Sequence, residues 1–162
     1  SDVCSSDLIE LLMTGNENDV QIFIETFKKN FKKLPAEEIS FPRSVNGIKN
    51  YSDAATLYKK GTPIHVKGAI LYNTNLKKNN LDKKYPFIQE GEKIKFTYLK
   101  LPNPFQDTVV SYPSRLPPEF GLDKYIDYDV QFNKAFLEPV KVIIDCIGWS
   151  VEKKSSLDDF FN

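Results

Sequence analysis

The sequence predicts an α+β fold, mainly helical with a small antiparallel β element. Three observations carry that expectation. Residues 16–34 place Val20, Phe23, Ile24, Phe27, Phe31 and Leu34 at three- and four-residue steps, the period of one helix face. Tyr125, Tyr128, Phe132, Phe136, Ile143 and Ile147 keep helical spacing near the C-terminal end. Between them, Ile94, Phe96 and Tyr98 alternate with Lys93, Lys95 and Thr97, which marks a strand with one wet face.

Taken in order, the opening "SDVCSSDL" matches the translation of a common sequencing-adapter end. Residues 1–8 are therefore set aside from fold reasoning, as a processing scar would be. The expected organisation is one domain over 9–150 and a polar tail over 151–162. In the first helix Asn16 stands as cap with Asp19 three residues on, a capping-box spacing. Lys28, Lys29, Lys32 and Lys33 form the face opposite the apolar stripe, and Pro35 stops the helix. The segment "EEISFPRS" reads as extended, and a polar connector follows from Val45 to about Ala54.

The stretch "YKKGTPIHVKGAILYNTNLKKNN" predicts a second helix, with Thr62 as N-cap and Pro63 at the first helical position. It runs to about Lys77 and buries Val66, Ala69, Ile70 and Leu76. Its first turn offers unpaired backbone N–H groups and the positive end of the helix dipole. Lys59, Lys60 and Gly61 precede that end and Lys67 lies one turn in, a grouping suited to a phosphate. "GEKIKFTYLKL" and "TVVSYP" are expected to pair as strands across the Pro-rich loop "PNPFQD". In the last helical segment Pro139 should kink or split the rod, and Gly148 should end it.

Composition excludes several classes. Apolar content of 41% and charged content of 27% describe a chain that can build a core. No apolar run reaches the roughly 20 residues that a membrane-spanning helix needs. With residues 1–8 set aside, Cys146 is the single cysteine, which leaves no disulfide framework or Cys-based metal site; its apolar surroundings predict a buried position. Net charge is zero, yet residues 21–100 hold 16 Lys and Arg against 7 Asp and Glu, a net of +9. Residues 101–162 hold 6 against 10, a net of −4. The middle of the chain is therefore a candidate footprint for a polyanion, although a solvated lysine surface has the same composition.

A catalytic constellation does not emerge. His65, the only histidine, has no nearby serine or cysteine that would make a nucleophile–base pair. Asp127 and Asp129 invite a two-metal nuclease reading, but positions i and i+2 of a helix do not face each other. No phosphate-binding GxxxxGK loop, zinc spacing or GxSxG motif is present.

The order of "YKKGTPIHVKGA", "GEKIKF", "NPF", "YPS", "YIDYDVQFNKAFLEPV" and "EKKSSLD…FF" resembles the thumb region of family B replicative DNA polymerases from T-even-like bacteriophages. That resemblance implies a fragment of a DNA-directed DNA polymerase, a nucleotidyltransferase acting in DNA replication in the cytoplasm of an infected bacterial host. The family's palm holds two Mg2+ through an Asp-Thr-Asp motif and an upstream aspartate. Neither motif is in this sequence, so the piece is expected to hold no cofactor and to be inactive alone. A family thumb grips the primer–template duplex DNA through phosphates and the minor groove. The resemblance assigns phosphate contact to Lys59, Lys60, the Gly61–Thr62 backbone and Lys67, with His65 and Lys134 as further candidates. Glu138, one turn beyond Lys134, departs from a basic surface.

Family members end in a short peptide that docks on the sliding clamp. "KSSLDDFF" has the spacing of a general clamp-binding box, with Leu157, Phe160 and Phe161 as apolar anchors. Lys154 stands where many such boxes carry glutamine. The expected partners are duplex DNA, the sliding clamp and the rest of the polymerase chain, with no membrane. The alternative is a stand-alone DNA-binding adaptor carrying a clamp-binding tail.

Overall fold

The computed structural model describes residues 2–51 and 58–152, with side chains from residue 6 onward. The described residues fall into two compact units, one from Ser1–Leu34 and Phe132–Asn162, the other from Pro35–Gln131. The anchors Leu157, Phe160 and Phe161 lie outside the described residues.

In the first unit α1 (Asp2–Thr14) packs on α2 (Glu17–Phe31). The expected capping box is formed: Asn16 Oδ1 accepts from the Asp19 N–H at 3.0 Å, and Asp19 Oδ2 accepts from the Asn16 N–H at 3.2 Å. Phe27 of α2 is the centre of an aromatic cluster. Its ring lies 5.8 Å from Phe132 and 4.7 Å from Phe136, and Phe31 lies 5.3 Å from Phe132.

The C-terminal helical segment differs from the expected one at its start and in its middle. A 3-10 turn covers Asp123–Tyr125, and the helix begins only with α6 (Tyr128–Phe132). Asn133–Leu137 forms a π turn and α7 (Glu138–Cys146) continues the rod. Proline has no N–H, and its ring clashes with the carbonyl four residues back, so the widened turn precedes Pro139. The extra residue re-phases the apolar face. At about 3.6 residues per turn, a regular helix would bring position 143 above Phe132 after three turns. Instead Val140 and Ile144 are buried, while Ile143 and Ile147 are 53% and 47% exposed. Cys146, expected inside, is exposed for the same reason. Gly148 ends the helix as expected. At φ +78° its N–H bonds the Asp145 carbonyl at 3.0 Å, and the Trp149 N–H bonds the Ile144 carbonyl at 3.1 Å.

The second unit is an antiparallel three-stranded sheet with a helix on one face. The strands are β1 (Phe41–Ser44), β2 (Lys93–Tyr98) and β3 (Val109–Tyr112), in the order β1-β2-β3. The expected β2–β3 pair is present, with Thr97 opposite Val110. The extended reading of "EEISFPRS" holds for its second half, but its pairing as a third strand was not expected. "EEISFPRS" divides into a single helical turn, α3 (Ala36–Ile39), and the edge strand β1, where Pro42 is tolerated. The connector after it is not wholly polar in role: Val45 is fully buried, and Ile48–Tyr51 forms one further turn, α4.

The helix α5 (Ile64–Lys78) packs along β3 and buries Val66, Ala69, Ile70, Leu71, Tyr72 and Leu76. Gly68 makes the approach close. A Cβ there would sit 2.7 Å from the Ser111 N and 3.1 Å from the Val110 carbonyl carbon. Gln131 is fully buried at the end of this unit. Its Oε1 accepts from the Tyr98 N–H at 2.9 Å and its Nε2 donates to the Ile39 carbonyl at 2.8 Å.

Candidate nucleic-acid interface

Of the basic residues singled out from sequence, Lys59, Lys60 and Lys67 lie at the N-terminal end of α5. Lys59 to Thr62 form a tight turn. The Lys59 carbonyl accepts from the Thr62 N–H at 3.3 Å, and Gly61 takes φ +85°, a value that glycine adopts freely. Lys59 and Lys60 are exposed on this turn. Thr62 is not the helix cap that its spacing suggested. Its hydroxyl donates back to the Lys59 carbonyl, Pro63 takes the cap position, and no side chain caps the first turn of α5.

His65 lies in that first turn, half-buried, with its ring centre 6.2 Å from that of Phe96. Burial, and then the positive charge of Arg43, hold its pKa below the usual histidine value. The imidazole is therefore neutral at neutral pH, with a single N–H donor that a hydrogen bond to the Ser44 main chain engages, so it brings no charge to an anion. Arg43 is the residue that sequence reasoning missed. It comes from β1, with its guanidinium 5.9 Å from the Phe96 ring centre. No local pattern pointed to it, because the pairing of β1 with β2 is what brings it to His65.

Lys67 is placed differently from its lysine neighbours. Its Nζ lies 2.9 Å from Asp107 Oδ1 and 4.7 Å from the Tyr58 ring centre. Tyr58 donates to Asp107 Oδ2 at 2.5 Å. Burial acts to raise the Asp107 pKa, but the hydrogen bonds from Tyr58 and Lys67 outweigh it and hold the carboxyl below its ordinary value. The pair Lys67–Asp107 has no net charge, so Lys67 adds less to the local positive field than its place in the sequence implied.

Lys134 is exposed in the π turn and belongs to the other unit. Asp127 is committed to structure: its Oδ1 accepts from the Val130 N–H at 3.1 Å and so caps α6. Asp129, two residues on, is exposed.

No protein-family model matches the chain. It is similar to the DNA-directed DNA polymerase of Enterobacteria phage T4, with 28% identity over 157 residues. That match covers 94% of this chain and 17% of the phage protein. It is also similar to the DNA-directed DNA polymerase of Escherichia phage RB69, with 30% identity over 136 residues, covering 82% of this chain and 15% of the relative. The chain thus spans about a sixth of the length of these curated relatives. It is a polymerase-related chain, homologous to one segment of phage DNA-directed DNA polymerases.

Proposed function

We propose that this chain is the thumb portion of a family B DNA-directed DNA polymerase, working in the cytoplasm of an infected bacterium. It grips the primer–template duplex through the phosphate backbone, and its C-terminal peptide tethers the enzyme to the sliding clamp. The chemistry of nucleotide transfer, with its two Mg2+, belongs to another part of such a polymerase.

One observation carries the reading: similarity to phage polymerases across 94% of the chain, within which Lys59 and Lys60 stand exposed on a glycine turn beside an uncapped helix start. Lysines and backbone N–H groups at a helix start recognise phosphate without reading base sequence, as a translocating enzyme requires. Lys59, Lys60 and the Gly61–Thr62 backbone are the primary contacts, with His65 and Lys134 as further ones. Lys67 contributes while bound to Asp107.

The test is duplex binding as a function of salt. Affinity should fall steeply as salt rises, equally for unrelated sequences. Lys60→Ala should lower the logarithmic salt slope by about 1. A salt-independent affinity would refute the phosphate grip. For the tail, removing Phe160 and Phe161 should abolish clamp binding and leave duplex affinity and thermal stability unchanged. A large loss of thermal stability on that deletion would return the two rings to this chain's own core.

A further inference from the structure

A small polar cluster fastens the basic turn to the sheet. Asp107 accepts three hydrogen bonds: from Tyr58 Oη at 2.5 Å, from Lys67 Nζ at 2.9 Å and from the Thr108 N–H at 2.7 Å. The Lys67 and Asp107 side chains are only 22% and 10% exposed. The loop that carries Asp107 is itself braced. Asn103 Nδ2 donates to the Lys100 and Asp107 carbonyls at 2.8 and 2.7 Å, and Asn103 Oδ1 accepts from the Phe105 N–H. Tyr58 immediately precedes Lys59 in the chain. The turn is therefore held on its N-terminal side by the Tyr58–Asp107 bond and the Lys59 N–H to Tyr51 carbonyl bond, and on its C-terminal side by α5.

We propose that Asp107 is a positioning residue for polyanion binding, whose carboxylate fastens Tyr58 and Lys67 and so presents Lys59 and Lys60 in a fixed orientation. This rests on the phosphate grip proposed above. An acidic residue in a basic site looks out of place on charge alone. Its value is pre-organisation: a turn already ordered loses less conformational freedom when it meets DNA. The two effects have opposite signs. Removing a negative charge from the vicinity of a phosphate should tighten binding. Removing the fastening should weaken it.

Asp107→Asn in the full chain separates them, with a labelled primer–template duplex titrated between about 50 and 200 mM salt. Asparagine keeps the size of the side chain and one acceptor for Tyr58 but loses the ion pair with Lys67. The expected result is roughly three- to tenfold weaker binding, comparable to the loss of one phosphate contact, together with a smaller salt slope. Tyr58→Phe, which retains the ring and loses only the bond, should act in the same direction. In a Lys60→Ala background the effect of Asp107→Asn should shrink, because the residue it positions is gone. A general structural role would give additive losses instead. Circular dichroism verifies that each variant is folded. Salt-sensitive binding that is unchanged or tighter in Asp107→Asn, or additive losses in the double variant, would overturn the inference alone. Salt-insensitive binding by the unaltered chain would remove the grip and this inference together.

Discussion

Gly68→Ala tests the packing that sets α5 on the sheet. In an exposed helix this change stabilises by about 1 kcal/mol, because alanine is the better helix former. Here the added Cβ would meet the Ser111 hydroxyl and, behind it, main chain, 2.7 Å from the Ser111 N and 3.1 Å from the Val110 carbonyl carbon, so turning one side chain aside does not relieve the clash. Overpacking of this kind costs about 1–3 kcal/mol, and rigid neighbours favour the upper half of that range. The displacement also threatens the hydrogen bond from Ser111 Oγ to the His65 carbonyl at 2.8 Å, which contributes about 1 kcal/mol. The balance is a net destabilisation of about 2–3 kcal/mol. For a chain of this size it corresponds to a fall in unfolding midpoint of roughly 5–10 °C. Thermal unfolding followed by circular dichroism reads it directly. Ser111→Ala in the same chain should recover part of the loss, since it removes one of the atoms the new Cβ meets. An unchanged or raised midpoint for Gly68→Ala, the outcome of helix propensity alone, would refute the close approach.

Other consequences can be measured in the same way. Gln131→Leu strands the Tyr98 N–H and the Ile39 carbonyl, both partnered by the buried amide; a loss of about 2–4 kcal/mol is expected in urea denaturation, and a neutral result would show that these groups find other partners. Thr97 is fully buried and its Oγ1 has no hydrogen-bond partner among the described residues; Thr97→Val should be neutral or stabilising by up to about 1 kcal/mol, so a clear loss would contradict the isolated hydroxyl. The Asp107 carboxyl is held below its unfolded-state pKa despite its burial, by Tyr58 and Lys67. Its contribution to stability is present above about pH 4 and lost as the pH falls through the folded value, so Asp107→Asn should flatten the acid limb of a stability–pH profile.

The parts of the fold legible in the sequence were those set by neighbours in the chain. The Asn16–Asp19 capping box, the apolar stripe of α2 and the β2–β3 alternation depend on residues a few positions apart. Contacts over longer spans were not legible. β1 is four residues long and contains Pro42, so its extended stretch was legible but its pairing with β2 was not, and the place of Arg43 stayed hidden with it. Lys67 was visible as a cation, but its neutralising partner lies in the loop before β3, 40 positions away. Thr62 shows a different limit. Its residue type suits a cap, yet its hydroxyl turns back to donate to the Lys59 carbonyl and Pro63 takes the cap position. The grouping of Lys59, Lys60 and Lys67 near the start of α5 follows from their order in the sequence, while the net charge they present depends on folding.

The π turn at Asn133–Leu137 has a consequence for comparing this segment with its relatives. The turn accommodates one residue beyond the regular repeat without breaking the rod, so the stretches before and after it keep separate clocks. A relative lacking that residue would align cleanly on either side and still have its last helix turned by about 100°, with a different flank toward solvent. Substitutions around Val140 and Ile144 are therefore best compared by counting back from Gly148, where the helix stop fixes the phase, and not forward from the phenylalanines.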